Sequence, residues 1–248
     1  MFIMIRKKLP LERFIAAQTP FSRREILRLL VEGRITVNSN VATALTAEID
    51  PQKDTVKIDK KPVRNAYDFV YYKFYKPKNV ISTLHDPSGR LDLSSFVSRI
   101  PEPVFPVGRL DRHTTGLYLL TNDGPWAQRM THPRFEIPKA YVVEVNKRLS
   151  HRTLRALTHP IPLSDDTPVS FVHIAPLSDK QVEVVISEGR NRIVRRAFEA
   201  LGLTVIKLKR IGIGPVTLSG MKAGDIRPLT KIERMELDKL TANRVQSR

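Results

Sequence analysis

The sequence predicts an α+β fold, with a small N-terminal α/β module ahead of a larger domain built on a mixed, largely antiparallel sheet. Three observations predict it. The first sixty residues hold two amphipathic helical stretches followed by short β-like runs. Beyond Asp68, seven strand-like runs are interrupted by only four helical stretches, which is too few helices for a doubly wound sheet. Between the two lies "DKKPVRNAYD" (Asp59 to Asp68), polar, charged and broken by Pro62, which reads as a linker. The expected boundaries are a module at 1–60, a linker at 61–68, the larger domain at 69–238 and a polar, frayed tail at 239–248.

In the first module, "LERFIAAQ" sets Leu11, Phe14 and Ile15 at helical spacing. "FSRREILRLLVEGR" follows, with Ser22 as N-cap and Glu25 three residues on, a capping-box arrangement. Ile26, Leu29 and Leu30 share one face of this helix, and Gly33 ends it. "RITVNSNVAT", with a turn at Asn38 to Asn40, and "DTVKID" supply short strands. In the larger domain the strand-like runs are "FVYYKFYK", "VISTL", "LYLLTN", "KAYVVEV", "VSFVHIA", "QVEVVIS" and "TVIKLKRIGI". The helical stretches are "LSSFVSRI", "PWAQRMTH", "HRTLRALTH" and "NRIVRRAFEALG", the last closed by Gly202.

Charge narrows the function. Lys+Arg 42 against Asp+Glu 25 gives a net charge of +17, and self-repulsion on that scale calls for a polyanionic partner. Eight basic residues stand against three acidic ones between Arg6 and Arg34, and Arg24 and Arg28 share a helix face. With Arg23 and Arg34 close by, they form a candidate phosphate-contacting patch. The chain has no cysteine, which excludes disulfides, a thiol nucleophile and thiolate metal sites. No apolar run approaches the roughly 18 residues of a membrane span, and "MFIMIRKKLP" has the wrong charge order for a signal peptide. A soluble, cytoplasmic protein with nucleic acid rather than membrane as partner is expected. The six histidines show no metal-ligand spacing, so no metal site is expected.

Three segments carry candidate chemistry. In "VGRLDRHTTGLYLLTNDG", Asp111 lies on a loop entering a core strand, with Arg109 two residues away. As far as these residues go, Asp111 is equally a turn cap through Thr114 or Thr115 and a reactive carboxylate. In "ISEGRNRIVRRAFEALG", Arg192, Arg195 and Arg196 crowd the first turns of a helix. Cations there oppose the helix dipole and one another by a few tenths of a kcal/mol each, roughly, and so favour an anion nearby, a phosphate or a carboxylate. In "PKAYVVEV", Tyr141, Val143 and Val145 face one side of a strand. Core packing is the simpler reading for Tyr141; the alternative is a ring on which a base stacks.

Taken together, "GRLD..T.GL.LLTNDG", "K.Y.V.V" and "EGRNR.VRR.F...G" resemble, in this order, the ribosomal-RNA pseudouridine synthases of the Rsu branch. "YKFYKPKNVIST", with Lys76-Pro77, is similar to that family's first motif, and the N-terminal module resembles the small RNA-binding domain named after ribosomal protein S-four. The match runs from about residue 8 to 232. The resemblance implies a catalytic aspartate at Asp111, an active-site tyrosine at Tyr141 and a basic partner of the aspartate at Arg195. It implies RNA-binding roles for Arg109, Arg190, Arg192, Arg196 and Lys76, and it gives the patch of Arg23, Arg24, Arg28 and Arg34 the same role. The implied reaction isomerises a uridine within ribosomal RNA, free or in an assembly intermediate, by a monomer without cofactor or metal. Asp111 either adds to the sugar or assists elimination to a glycal. The segment "GLTVIKLKRIGIGPVTLSGMKAGDIRPLT" is closer in style to large-subunit (23S) members than to small-subunit (16S) ones. A non-catalytic assembly factor would require loss of Asp111, Tyr141 or Arg195, and all three are present. The chain departs from the family's usual residues at Ile193 (Gln), Ala197 (Met) and Tyr118 (Leu).

Overall fold

The computed structural model describes residues 8–19, 21–63, 69–163 and 166–242. They fall into two units, one holding the residues up to Val70 with Ile100–Val104 and Asn122–Gly124, the other holding Tyr71–Arg99, Phe105–Thr121 and the residues from Pro125 on.

The first unit runs β1 (Leu9–Pro10), α1 (Leu11–Gln18), α2 (Arg23–Val31), β2 (Ile35–Val37), β3 (Asn40–Val41), β4 (Glu48–Ile49), β5 (Val56–Ile58) and β6 (Lys61–Pro62). The capping box forms as the spacing implies. Ser22 Oγ accepts from the Glu25 amide at 3.3 Å, and Glu25 Oε2 accepts from the Ser22 amide at 2.7 Å. Leu11, Phe14 and Ile15 of α1 and Ile26 and Leu29 of α2 bury against Ile35, Ile49, Val56 and Ile58, whereas Leu30 is only partly covered. The four-stranded sheet has the order β3-β2-β5-β6. Lys61–Pro62, expected to open the linker, instead pair with β5, Lys57 opposite Pro62 and Ile58 opposite Lys61. Proline is tolerated there because β6 is the sheet's edge strand, where an amide is not needed for the ladder. The rest of the expected linker, 64–68, lies outside the described residues.

The second unit runs β7 (Tyr71–Lys76), α3 (Ser94–Val97), β8 (Phe105–Pro106), β9 (Thr115–Thr121), α4 (Gly124–Thr131), β10 (Lys139–Val145), α5 (His151–Leu157), β11 (Ile161–Leu163), β12 (Asp166–Val169), β13 (His173–Ser178), β14 (Gln181–Ile186), α6 (Ile193–Ala200), β15 (Val205–Ile213), β16 (Val216–Thr217), β17 (Ile226–Pro228) and α7 (Lys231–Ala242). A nine-stranded sheet has the order β13-β14-β10-β15-β9-β7-β17, with β8 on β9 and β16 on β15. Its one parallel pairing among the described strands is β9 with β15; the others are antiparallel. That pairing is unusually close. A Cβ built on Gly116 would lie 2.1 Å from the Arg210 carbonyl oxygen, and Gly116 has φ +107°, so only glycine fits. Trp126 and Met130 of α4 and Leu237 of α7 join Tyr71, Leu117, Leu119 and Ile213 in the core.

Several elements differ from expectation. "VISTL" is no strand; Ile81 makes an isolated bridge to Asp92, while Ser82 and Thr83 turn their hydroxyls to the Leu110 and His85 carbonyls. "VSFVHIA" divides because β12 pairs with β11 and β13 with β14, so the chain changes sheets between them. The helix expected near Asn191 begins at Ile193, since Arg192 sits at φ 47°, ψ 27° and cannot continue a right-handed helix. The expected tail from 239 starts inside α7, a helix that the sequence pattern conceals because only Leu237 and Thr241 are buried along it; residues 243–248 lie outside the described residues.

Candidate active site

The loop from Gly108 to Thr114 is held almost residue by residue. Gly108, at φ +78°, offers its carbonyl to the Tyr118 hydroxyl at 2.6 Å. Ser82 Oγ donates to the Leu110 carbonyl at 2.6 Å and accepts from the Leu110 amide at 3.1 Å. The Arg112 carbonyl accepts from the Asn79 amide at 2.8 Å. Lys76, wholly buried, sends its ammonium to the carbonyls of Pro77, Arg112 and Thr114 at 3.1, 3.3 and 2.9 Å. Asp111 thus stands on a loop whose backbone is anchored on both sides.

The turn itself is closed by the main chain, the Thr114 amide donating to the Asp111 carbonyl at 3.0 Å. The Thr114 hydroxyl, buried, has no hydrogen-bond partner, so it does not bind the Asp111 carboxylate. The carboxylate faces Arg195 of α6 instead, with Oδ2 at 3.9 Å from Nε. Arg195 is buried at 8% exposure, and its Nη1 donates to the Val205 carbonyl at 2.9 Å. Burial pushes its pKa below the ordinary arginine value and the charge of Arg192 adds to this, while Asp111 and Glu199 oppose both.

A cleft of about 190 Å³ opens beside this pair, lined by Arg109, Asp111, Thr114, Lys139, Tyr141, Glu188 and Arg210, with apolar walls that include Leu110, Ile193 and Leu208. Tyr141 is 8% exposed and stands on the cleft, so packing and lining are both served by one ring. Lys139 lies two residues before it on the same face of β10, its ammonium donating to the Ile137 carbonyl at 2.9 Å. Burial pushes Lys139 down to about 8, the Arg210 charge helping and Glu188 opposing. Burial likewise pushes Lys76 down to about 8, with Asp111 resisting and Arg210 adding to the fall. The carboxylate therefore sits among buried cations, an arrangement suited to a reactive anion brought against a polyanion.

The expected RNA-binding residues separate into groups. Arg109, Arg190 and Arg192 line the cleft, Arg109 and Arg192 being exposed. Arg190 also pairs with Glu188 and donates to the Thr167 carbonyl at 2.6 Å, and Arg192 reaches Glu199 at 3.4 Å. Arg196 is half-buried and does not line the cleft. Lys76 is a correction: a fully buried ammonium committed to three carbonyls cannot touch RNA, and its place is beneath the Asp111 loop. In the first unit, Arg23 pairs with Glu12, Arg28 with Glu32 at 3.7 Å, and Arg34 with Asp59 and Glu32 at 2.6 and 2.8 Å. Arg24 is exposed without such a partner among the described residues. Sequence reasoning missed Lys139 and Arg210. Among the described residues no group of three or more His, Asp or Glu is placed to hold a metal ion, and no helix is long and apolar enough to cross a membrane.

The chain is similar to known proteins over most of its length. Residues 70–200 match the family described as RNA pseudouridylate synthase. The chain is 39% identical over 228 residues to the ribosomal large subunit pseudouridine synthase B of Bacillus subtilis, covering 90% of this chain and 93% of that one. It is 31% identical to the ribosomal small subunit pseudouridine synthase A of Yersinia pestis, covering 90% and 95%. A crystal structure of a pseudouridylate synthase superposes with a TM-score of 0.67 at 28% identity, over 92% of this chain and 99% of that one.

Proposed function

This chain belongs to the RNA pseudouridylate synthase family, and from that premise we propose that it isomerises uridine to pseudouridine in ribosomal RNA, with large-subunit RNA as its substrate. It is an isomerase. Higher identity to the large-subunit relative than to the small-subunit one supports the choice of RNA. The observation that carries the mechanism is the Asp111 carboxylate at a cleft wall, 3.9 Å from a buried Arg195 and on the same cleft as Tyr141.

In this reading residues 1–60 are an S-four-like RNA-binding domain and 69–238 the catalytic domain. The protein acts as a cytoplasmic monomer on ribosomal RNA, free or in an assembly intermediate. Arg109, Arg190 and Arg192 at the cleft engage the backbone around the target, and Arg24 adds a contact from the first domain. The uridine leaves its stack, at a cost of a few kcal/mol that backbone contacts offset, and its ring lies against Tyr141. Asp111 then acts on the ribose while the N1–C1′ bond breaks, Arg195 holding the carboxylate in place. The base turns over, C5 joins C1′, and the C5 proton is released. The cleft is contained within one unit of one chain, which fits a monomer.

The test is tritium release from 23S and 16S transcripts labelled at uridine C5, comparing the protein with Asp111→Asn. Release from 23S RNA by the first and none by the second is expected. Equal release from both, or none from the unmutated protein on either RNA, would end this reading; release from 16S RNA alone would transfer it to the small subunit.

A further inference from the structure

We propose that Arg210 is a further substrate-contacting residue: its Nη2 donates to a carbonyl oxygen of the uracil ring and stabilises the negative charge that the ring acquires as it leaves the sugar. The proposal rests on the reading above that a uridine enters this cleft.

The position of Arg210 comes from an irregularity in strand pairing. Along β10 and β15, Lys139 faces Ile213 and Ala140 faces Gly212, but Tyr141 faces Arg210, so Ile211 is an extra residue. Such a bulge reverses the in-out alternation beyond it. Ile213, Arg210 and Leu208 consequently share the cleft face with Lys139 and Tyr141. Residues paired across antiparallel strands lie side by side, so the guanidinium stands next to the ring on which the base is read to lie.

The guanidinium is oriented and incompletely used. Arg210 is 4% exposed, its Nε donates to the Leu117 carbonyl at 2.7 Å, and its Cζ lies 5.7 Å from the Tyr118 ring centre. Nη2 is buried with no hydrogen-bond partner. Among the described residues no carboxylate pairs with it; the Asp111 ion pair goes to Arg195. A buried cation with a spare donor is unfavourable until an oxygen carrying negative charge meets it. Of the four buried side-chain atoms without a partner among the described residues, three belong to this cleft or the pair beside it: Thr114 Oγ1, Arg195 Nε and Arg210 Nη2. Three such groups gathered at one cleft call for a polar partner, and a ligand entering the cleft would supply it.

The reaction supplies such an oxygen. When N1–C1′ breaks, the bond's electron pair stays with the ring, which becomes a uracil anion with charge on N1, O2 and O4. The deficit at C1′ is met through Asp111, by bonding to its oxygen or by losing the C2′ proton to it. When C5 bonds to C1′, the ring supplies the electron pair of the new bond, the Asp111 oxygen leaves C1′ as carboxylate or hands the proton back to C2′, and C5 then releases its own proton to solvent. A donor aimed at O2 or O4 is stronger in the middle of this sequence than at either end, which is the condition for raising turnover rather than affinity.

The experiment compares the protein with Arg210→Met and Arg210→Lys on the same C5-tritiated transcripts. Single-turnover release at saturating RNA, the Kd for RNA and the thermal midpoint are measured for each. Arg210→Met should release tritium about 100-fold more slowly while its Kd stays within about twofold, as for loss of one preorganised donor. Arg210→Lys, which keeps the charge, should recover part of the rate. Guanidinium ion in tens of millimolar should partly rescue Arg210→Ala. An unchanged rate at saturating RNA, or a loss confined to Kd, overturns the proposal. Unfolding of both Met and Lys variants would assign Arg210 to the fold and overturn it too. Failure of the unmutated protein to release tritium sinks the isomerase reading, whereas full release by both variants sinks only the role of Arg210.

Discussion

Arg195 reaches Asp111 across the cleft wall with Nε 3.9 Å from Oδ2, and the same guanidinium is tied to β15 through a 2.9 Å bond from Nη1 to the Val205 carbonyl. One side chain thereby links α6, the Asp111 loop and the central sheet. The two contacts have different consequences. The first orients the carboxylate, and the second fixes the arginine that does the orienting.

Replacing Arg195 should therefore affect both turnover and stability. Arg195→Met removes a charge partner from Asp111 and leaves a buried carbonyl unpaired, which costs about 1–3 kcal/mol. Turnover in the tritium assay should fall about 100-fold or more, and urea unfolding should show the loss of stability. A variant with full turnover would remove Arg195 from the mechanism.

Lys76 makes stability depend on pH in a defined direction. Its pKa is about 8 in the folded chain against 10.5 ordinarily, so between those values the unfolded chain binds more protons. Stability thus rises as pH increases from about 8 to 10.5, by roughly 3 kcal/mol at most for this group. Below about pH 8 both states are protonated and the slope from Lys76 vanishes. Urea midpoints of the protein and of Lys76→Met, followed across this window, should diverge; parallel curves would contradict the buried charge.

Gly116→Ala should be among the most damaging single changes. The added methyl would stand 2.1 Å from the Arg210 carbonyl oxygen, where β9 and β15 run parallel. Neither backbone can retreat without breaking the sheet, and φ +107° is already strained for alanine. A loss of about 3 kcal/mol or more is expected, read as a lowered denaturant midpoint or failure to recover soluble protein.

In the first unit, Arg24 and Arg34 should behave differently toward RNA. Arg24 has no carboxylate partner among the described residues, whereas Arg34 is shared between Asp59 and Glu32. Arg24→Ala should lower the slope of log affinity against log salt by about 0.7–0.9, one phosphate contact. Arg34→Ala should change that slope less. Filter binding over a salt series checks both, and equal slopes in all three proteins would place the contact elsewhere.

Much of this molecule is legible in the chain because it rests on local rules. The capping box at Ser22 and Glu25, the two amphipathic helices, the excess of positive charge and the ordered motifs around Asp111, Tyr141 and Arg195 all involve residues a few positions apart. Asp111 illustrates the limit. Its neighbours left it open between turn cap and reactive group, and the approach of Arg195, 84 positions on, is visible only in the folded chain. Lys76 was expected to bind RNA from the resemblance of its motif; two carbonyls of the distant Asp111 loop, with that of Pro77 beside it, made its burial possible. Arg210 was hidden for a different reason. Alternation along "TVIKLKRIGI" assumes an unbroken ladder, and the β10–β15 register slips both at Ala140/Tyr141 and at Glu144/Val145. Most of the elements and the motif that holds Asp111 could be read from the chain, since helix caps, periodicity and charge act over a few residues. Which cations surround that carboxylate was decided by tertiary structure alone, because strand register and bulges are set by packing between segments far apart in the chain.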